Sequence, residues 1–545
     1  MKYTLVLLAF LFINCKPVTK NISPKLVVVI SVDQMRGDYY ENLVKPLKLR
    51  GGLHKLYTEG KFFADAHHKH AVTTTAAGHA TLATGYFPSN NGIVNNTVYN
   101  RKQGFSHYCI WDTTVRYVGI DSCDLNLVSA EKLLKPTLGD YVKKENKKSK
   151  NYSVALKDRA SILMGGKLAN RAFWFDEKST QMVSTDYYTE PYPEWARSFK
   201  AKDRLSAEIQ TGWNRGLTEL TDFTFSNDSF ERECGTFKPW FPHNTGSMDT
   251  SRVRSNVEGS FMWNTPFGDA FVLDFAKELI IKQDLGKDNY TDVLNIGLSA
   301  ADVIGHHFGP NSTEILEYYA QIDKELDVFI QFLEKELGKE NITLVLTADH
   351  GVASLPEILA QSNIDAKRIA PSQYDEDIAV IDSLLQLEFN LPSSSISRAN
   401  YNGVEPNFNL LLAQGIDSIS YINSLMARLE QLDYIAQCYS FFDYQDKNCK
   451  KPYIELMRNS HRPEYEYFVK ILGKENYLVD MRSCGTTHGS PYSYDTHVPL
   501  VFYGGAITPG SDRTKNYTVD IVPSLLELLN IKVSEQFDGN SLGLN

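Results

Sequence analysis

The 545-residue chain has no excess of basic residues, no internal repeat, few cysteines and no hydrophobic run long enough to cross a bilayer. Fifty-six Lys and Arg against 66 Asp and Glu leave a net charge of −10, which excludes an electrostatic nucleic-acid binder and is read here as solubility. The absence of repeats excludes a solenoid. The apolar stretch Leu5–Ile13 follows a single lysine and is too short to span a membrane, so residues 1–15 read as a signal peptide and the protein as exported. Cys15, directly after that stretch, resembles a bacterial lipobox cysteine. It predicts a periplasmic protein or one anchored to the outer membrane by a lipid, with ordinary cleavage further along as the alternative. No other membrane contact is expected, and the chain is expected to act as a monomer.

Removing or acylating Cys15 leaves Cys109, Cys123, Cys234, Cys438, Cys449 and Cys484. Export permits disulfides, and close spacing favours Cys109–Cys123 and Cys438–Cys449. A composition of 42% hydrophobic and 22% charged residues is that of a folded globular protein. The length fits one α/β domain, residues 24–545, carrying insertions.

Three apolar runs read as buried strands of a parallel sheet: Lys25–Val32, Thr291–Ser299 and Asn341–Ala348. Between the last two, Leu316–Leu337 has apolar residues at helical spacing and ends at Gly338, so strand, helix and strand form a right-handed crossover. Gly51–Gly60 reads as a helix, Tyr152–Leu156 as a short strand, residues 497–505 as a buried strand and 519–530 as a closing helix. The stretches of about 97–290 and 355–480 lack this alternation and read as insertions, the second with helix-like pieces at Ile422–Leu432 and Pro463–Leu472.

Residues 72–84, VTTTAAGHATLAT, place Thr75 at the head of a helix with small residues behind it. Free N–H groups and the helix dipole make such a position a phosphate seat, although a threonine before alanines is also a plain helix cap. Functional residues of open α/β sheets gather past the carboxyl ends of strands. Asp33, Asp302, His306, Asp349, His350 and His488 all fall at such ends, enough donors for two metal ions. Mixed imidazole and carboxylate donors in an exported protein favour zinc over magnesium. Asp302 and His306 stand four residues apart across what reads as a Gly305 turn. His67, His68 and His70 lack a carboxylate spaced with them and are set aside as solvated. The basic stretch Lys143–Lys150 is read as a solvated surface.

The ordered set VDQMR, TTTAAGH, NGIVNN, LKDRA, ADVIGHHFGP, TADHG and GTTHG resembles the alkaline phosphatase superfamily, most closely its single-chain PafA-type phosphate monoesterases. The resemblance covers residue 24 to the C-terminus. It implies an alkaline-phosphatase-like sandwich, with a central mostly parallel sheet flanked by helices and carrying large insertions. It further implies two Zn²⁺ ions, one held by Asp302, His306 and His488 and the other by Asp33, Asp349, His350 and Thr75. Thr75 would be the nucleophile, forming a phosphothreonine, since the spacing T-x-x-G-H selects it over Thr73 and Thr74. Asn96, Lys157 and Arg159 would contact the phosphoryl group of a small phosphate monoester.

The alternatives are a phosphodiesterase or nucleotide pyrophosphatase of the same superfamily, and a zinc-binding surface lipoprotein without catalysis. A sulfatase is disfavoured because no C-x-P-S-R type sequence occurs at the nucleophile.

Overall fold

A computed structural model describes residues 23–120, 127–217, 228–253, 255–479 and 482–544. The expected signal peptide, Cys15 and Cys123 lie outside the described residues. Ten strands form one mixed sheet: β1 (Leu26–Val32), β2 (Lys61–His67), β3 (Tyr117–Val118), β4 (Asn151–Ala155), β5 (Arg171–Asp176), β6 (Gln181–Thr185), β7 (Asp292–Leu298), β8 (Ile342–Thr347), β9 (Leu500–Gly504) and β10 (Gly510–Tyr517). Their spatial order is β10-β2-β9-β8-β1-β7-β4-β5-β6-β3. The centre, β8-β1-β7-β4-β5, is parallel throughout, and antiparallel pairs flank it on both sides.

β1 shows why the central runs are uninterruptedly apolar. Leu26, Val28, Ile30 and Val32 face one core layer, which includes the helix Thr313–Leu337, while Val27 and Val29 face another with the helix Ile521–Leu528. Both faces are covered, so neither set can be polar. Register then fixes the functional edge. Ser31 pairs with Thr347, and Val32 pairs with Leu298, so the residues following β1, β7 and β8 emerge together.

Several sequence expectations are corrected. The stretch 97–290 is not simply an insertion: β4, β5 and β6 belong to the main sheet, and the helix Pro266–Lys282 packs on it. Short strands separated by polar turns hid the alternation there. β2 was not expected from the sequence, because its partial burial gives KFFADAH only a weak pattern. Residues 396–473 form a separate four-stranded sheet, ordered Ile396–Asn400, Gly403–Pro406, Val469–Gly473, Ile435–Ser440, with its own core around Tyr421 and Leu425. Within it, Val469–Gly473 is a strand where a helix was expected; pairing on both sides and the β-branched Val469 and Ile471 decide it.

The cysteines also differ from expectation. Cys234 and Cys484 form a disulfide, whereas Cys109, Cys438 and Cys449 are free thiols. Proximity along the chain is a poor guide because the fold brings together residues 250 positions apart. Among the described residues no helix is long and apolar enough to cross a membrane.

Candidate metal and phosphate site

Two groups of side chains converge at the carboxyl edge of the sheet: Asp33, Asp349 and His350, and Asp302, His306 and His488. Asp33 directly follows β1, its backbone N–H bonded to Leu298 O of β7. Asp349 and His350 follow β8. Asp302 and His306 lie on one helix, Ala300–Phe308, rather than across a turn; four residues is one helical turn, which stacks them on one face, with His306 Nε2 3.2 Å from Asp302 Oδ1. Gly305 serves packing instead, since a Cβ there would meet Gln34 Oε1 at 1.8 Å.

The imidazoles are set up as ligands. His306 donates Nδ1–H to Thr486 O, His350 to Gly351 O and His488 to Thr73 O. A carbonyl only accepts, so each proton sits on Nδ1 and each Nε2 lone pair is free. Those Nε2 atoms face carboxylates: His350 is 3.4 Å from Asp33 Oδ1 and 3.3 Å from Asp349 Oδ2, and His488 is 3.5 Å from Asp302 Oδ1. Burial lowers all three histidines to about 3, so they stay neutral near pH 7. Burial, reinforced by the Asp349 charge, holds Asp33 well above the usual carboxylate range. Asp33 Oδ1 and Asp349 Oδ2 are buried without a hydrogen bond. Buried carboxylate oxygens without hydrogen-bond partners, beside imidazoles whose Nε2 is free, fit a bound cation, and this mixed donor set fits zinc.

Thr75 opens the helix Thr75–Thr84; Thr74, in extended conformation, occupies the cap position before it. Thr75 Oγ1 is buried and lies 3.4 Å from both His350 Nε2 and Arg159 Nη2. The motif spacing now has a physical cause. Gly78 presses against Asp349, whose carbonyl oxygen a Cβ would meet at 2.0 Å, and His79 Nδ1 lies 2.8 Å from Thr75 O and 3.2 Å from Asp349 Oδ2. Gly78→Ala is therefore expected to push the helix off Asp349, costing about 1–3 kcal/mol of stability and lowering metal content. Denaturant unfolding alongside metal analysis checks this; wild-type values for both would refute the contact's importance.

Asn96 Oδ1 accepts the N–H of Ala76, which leaves its amide NH₂ as a donor. Lys157 follows β4 and is buried, its Nζ 2.6 Å from Asp33 Oδ2 and 2.6 Å from Asp302 Oδ2. It thus bridges the two groups while lining the same cavity as Thr75 and Arg159. Burial opposes its charge, but Asp302 and Asp33 override that and raise its pKa. For Arg159 burial is likewise overridden, by Tyr108 and Asp158, so the guanidinium stays charged.

Some site residues were not found from sequence. Gln34 Nε2 donates to Asp302 Oδ1 at 2.6 Å, and Gln34 N to Asp349 Oδ1 at 3.2 Å, joining the two groups. Tyr108 OH donates to Asp158 Oδ1 at 2.6 Å and accepts from Arg159 Nη1 at 3.3 Å, steadying the guanidinium. Asp158 and His79 sit inside quoted motifs and could have been singled out; Tyr108 has no local signal. The histidines set aside as solvated are not so. His68 and His70 are buried, and His67 joins Asp65 and His497 in a third, partly exposed donor group.

A family model described as type I phosphodiesterase / nucleotide pyrophosphatase matches residues 27–407. Alkaline phosphatase PafA of Elizabethkingia meningoseptica is 30% identical over 525 residues, 95% of this chain and 93% of the relative. Alkaline phosphatase PhoV of Synechococcus elongatus is 32% identical over 527 residues, 93% of this chain and 90% of the relative. The crystal structure of wild-type alkaline phosphatase PafA shares the fold with a TM-score of 0.83 at 30% identity, over 95% of this chain and 98% of that one. The sandwich expected from the sequence is therefore the fold observed, and the chain belongs to the type I phosphodiesterase / nucleotide pyrophosphatase family, within the alkaline phosphatase superfamily.

Proposed function

We propose that the protein hydrolyses phosphate monoesters to alcohol and inorganic phosphate through a phosphothreonine on Thr75. The observation that carries this reading is the placement of Arg159 and Lys157 around Thr75: the guanidinium lies 3.4 Å from the hydroxyl, with the Lys157 ammonium between the two carboxylate groups. A transferred monoester phosphoryl group is dianionic, and these cations, with the Asn96 amide, match its outer oxygens. Arg supplies a planar fork and Lys a compact charge. Asp33, Asp349 and His350 would hold one zinc ion beside Thr75, and Asp302, His306 and His488 the other. When bound, zinc would supply Lewis-acid charge that makes a hydroxyl nucleophilic near neutral pH and offsets charge on a leaving oxygen. Thr75 Oγ displaces the alcohol in line, and water then releases phosphate from the threonine. The alkaline phosphatases PafA and PhoV support the monoester reading through their overall likeness.

Arg159→Ala tests it. Monoester kcat/KM is expected to fall by about 10²–10³, the usual loss for one well-placed donor to transition-state charge. Diester hydrolysis, with one less charge to pair, should fall much less. Equal losses on both substrates would favour the phosphodiesterase reading. Export is part of the same proposal, supported by the Cys234–Cys484 disulfide, a bond typical of oxidising compartments.

A further inference from the structure

Two cavities meet at the site. One, of about 370 Å³, contains Thr75, Lys157 and Arg159 and is the phosphoryl seat of the proposed reaction. The other, of about 360 Å³, runs from the site to the four-stranded sheet. They share Asn96, His306, Arg482 and His488. Thr75 lies beside His350, so an in-line displacement sends the leaving oxygen toward the opposite group, Asp302, His306 and His488. His306 and His488 of that group line both cavities, so the second cavity is open to the alcohol portion of the substrate.

That cavity is cationic in a protein of net charge −10. Among the described residues, Lys470, Lys474 and Arg482 line it, with Arg482 Nη1 donating to Thr486 O, and Asp495 is the single acidic residue. Asp495 is already engaged, its Oδ2 accepting from Gly489 N, Ser490 N and Ser490 Oγ. Lys470 stands out. On strand Val469–Gly473, Val469 and Ile471 turn into the core of the smaller sheet while Leu472 packs on the other side, around Tyr492 and Met457. Lys470 shares that side by strand alternation, and among the described residues its ammonium makes no hydrogen bond or ion pair. Burial lowers its pKa, and the acidic group it feels, Glu466, is committed to His461 at 2.7 Å. A half-buried ammonium with no direct ion pair among the described residues, lining a cavity of ligand size, is placed to take an anionic group of a ligand.

We infer that the second cavity is a leaving-group subsite in which Lys470, with Lys474 and Arg482, selects phosphate monoesters whose alcohol carries a second anionic group, phosphate or carboxylate. This rests on the monoesterase reading and narrows its substrate class.

Three substrates that share a four-carbon leaving group test it: butane-1,4-diol monophosphate, the corresponding bisphosphate, and the phosphate ester of 4-hydroxybutyrate. Wild-type kcat/KM is expected to favour the bisphosphate at least tenfold over the monophosphate, beyond the twofold advantage of two equivalent ends. The carboxylate ester tells whether a carboxylate suffices. In Lys470→Met the preference should shrink toward that twofold, and in Lys470→Arg it should persist. Because the readout is a ratio between substrates on one preparation, partial misfolding does not mimic it. A wild-type enzyme that cleaves the monophosphate without preferring either anionic ester, or a preference untouched in Lys470→Met, overturns the subsite alone. Failure to release phosphate from any of the three overturns the monoesterase reading and the subsite with it.

Discussion

Thr75→Ala is expected to lower phosphate-monoester turnover by about a thousandfold or more while fold and metal content persist, because removing a covalent nucleophile abolishes the two-step route rather than weakening one contact. The structure makes the separation of effects plausible to measure. Thr75 Oγ1 has only long contacts, 3.4 Å to His350 Nε2 and to Arg159 Nη2, so its loss unmakes no short hydrogen bond. The helix start keeps its extended Thr74 cap residue and the Asn96 bond to Ala76 N. Steady-state rates with p-nitrophenyl phosphate, together with metal analysis of the purified variant, decide the matter. Parental turnover in the variant would remove Thr75 from the mechanism, and loss of metal would make it chiefly a ligand.

Chelation is expected to have an effect of similar size. Removing metal by dialysis against a strong chelator should lower activity by about a thousandfold or more, since Lewis-acid stabilisation contributes several kcal/mol to such a barrier. Zinc should restore it, and magnesium alone should not, because three of the six donors are imidazoles held neutral with Nε2 free. Stability should fall as well: a ligand at a thousand times its Kd stabilises the native state by about 4 kcal/mol. Thermal unfolding with and without zinc reads this. Full activity after exhaustive metal removal would contradict the two-zinc reading, and restoration by magnesium alone would change the metal assigned.

The central fold and much of the site were legible because both depend on residues whose burial leaves little choice. β1, β7 and β8 are covered on both faces, so their apolar runs are unambiguous, and the polar residues after them are conspicuous for that reason. Thr75, Asp33, Asp302, Asp349, His350, Lys157 and Arg159 follow a strand or stand in the first turn of a helix, where short motifs record position. What escaped depends on partners remote in sequence. β2 and the Val469–Gly473 strand are specified by neighbours in their sheets. The Asp302–His306 helix looked like a turn because Gly305 is a poor helix former, yet it is held there by contact with Gln34. Lys157 lies between two carboxylates that arrive from different strands, a relation that no local spacing encodes.

The order of the donors along the chain has a consequence for biogenesis. Asp33, Asp349 and His350 are all present once β8 has been made, whereas the other group waits for His488, beyond the entire four-stranded sheet. The loop that brings His488 begins beside Cys484, which is tied to Cys234, and its backbone is bonded to residues 232 and 306. An emerging polypeptide therefore completes one donor triad early and the other only when nearly all of it is available to fold. A product truncated before that loop would lack His488 and also β9, β10 and the helix Ile521–Leu528 that covers one face of β1, so neither donor group would keep its scaffold.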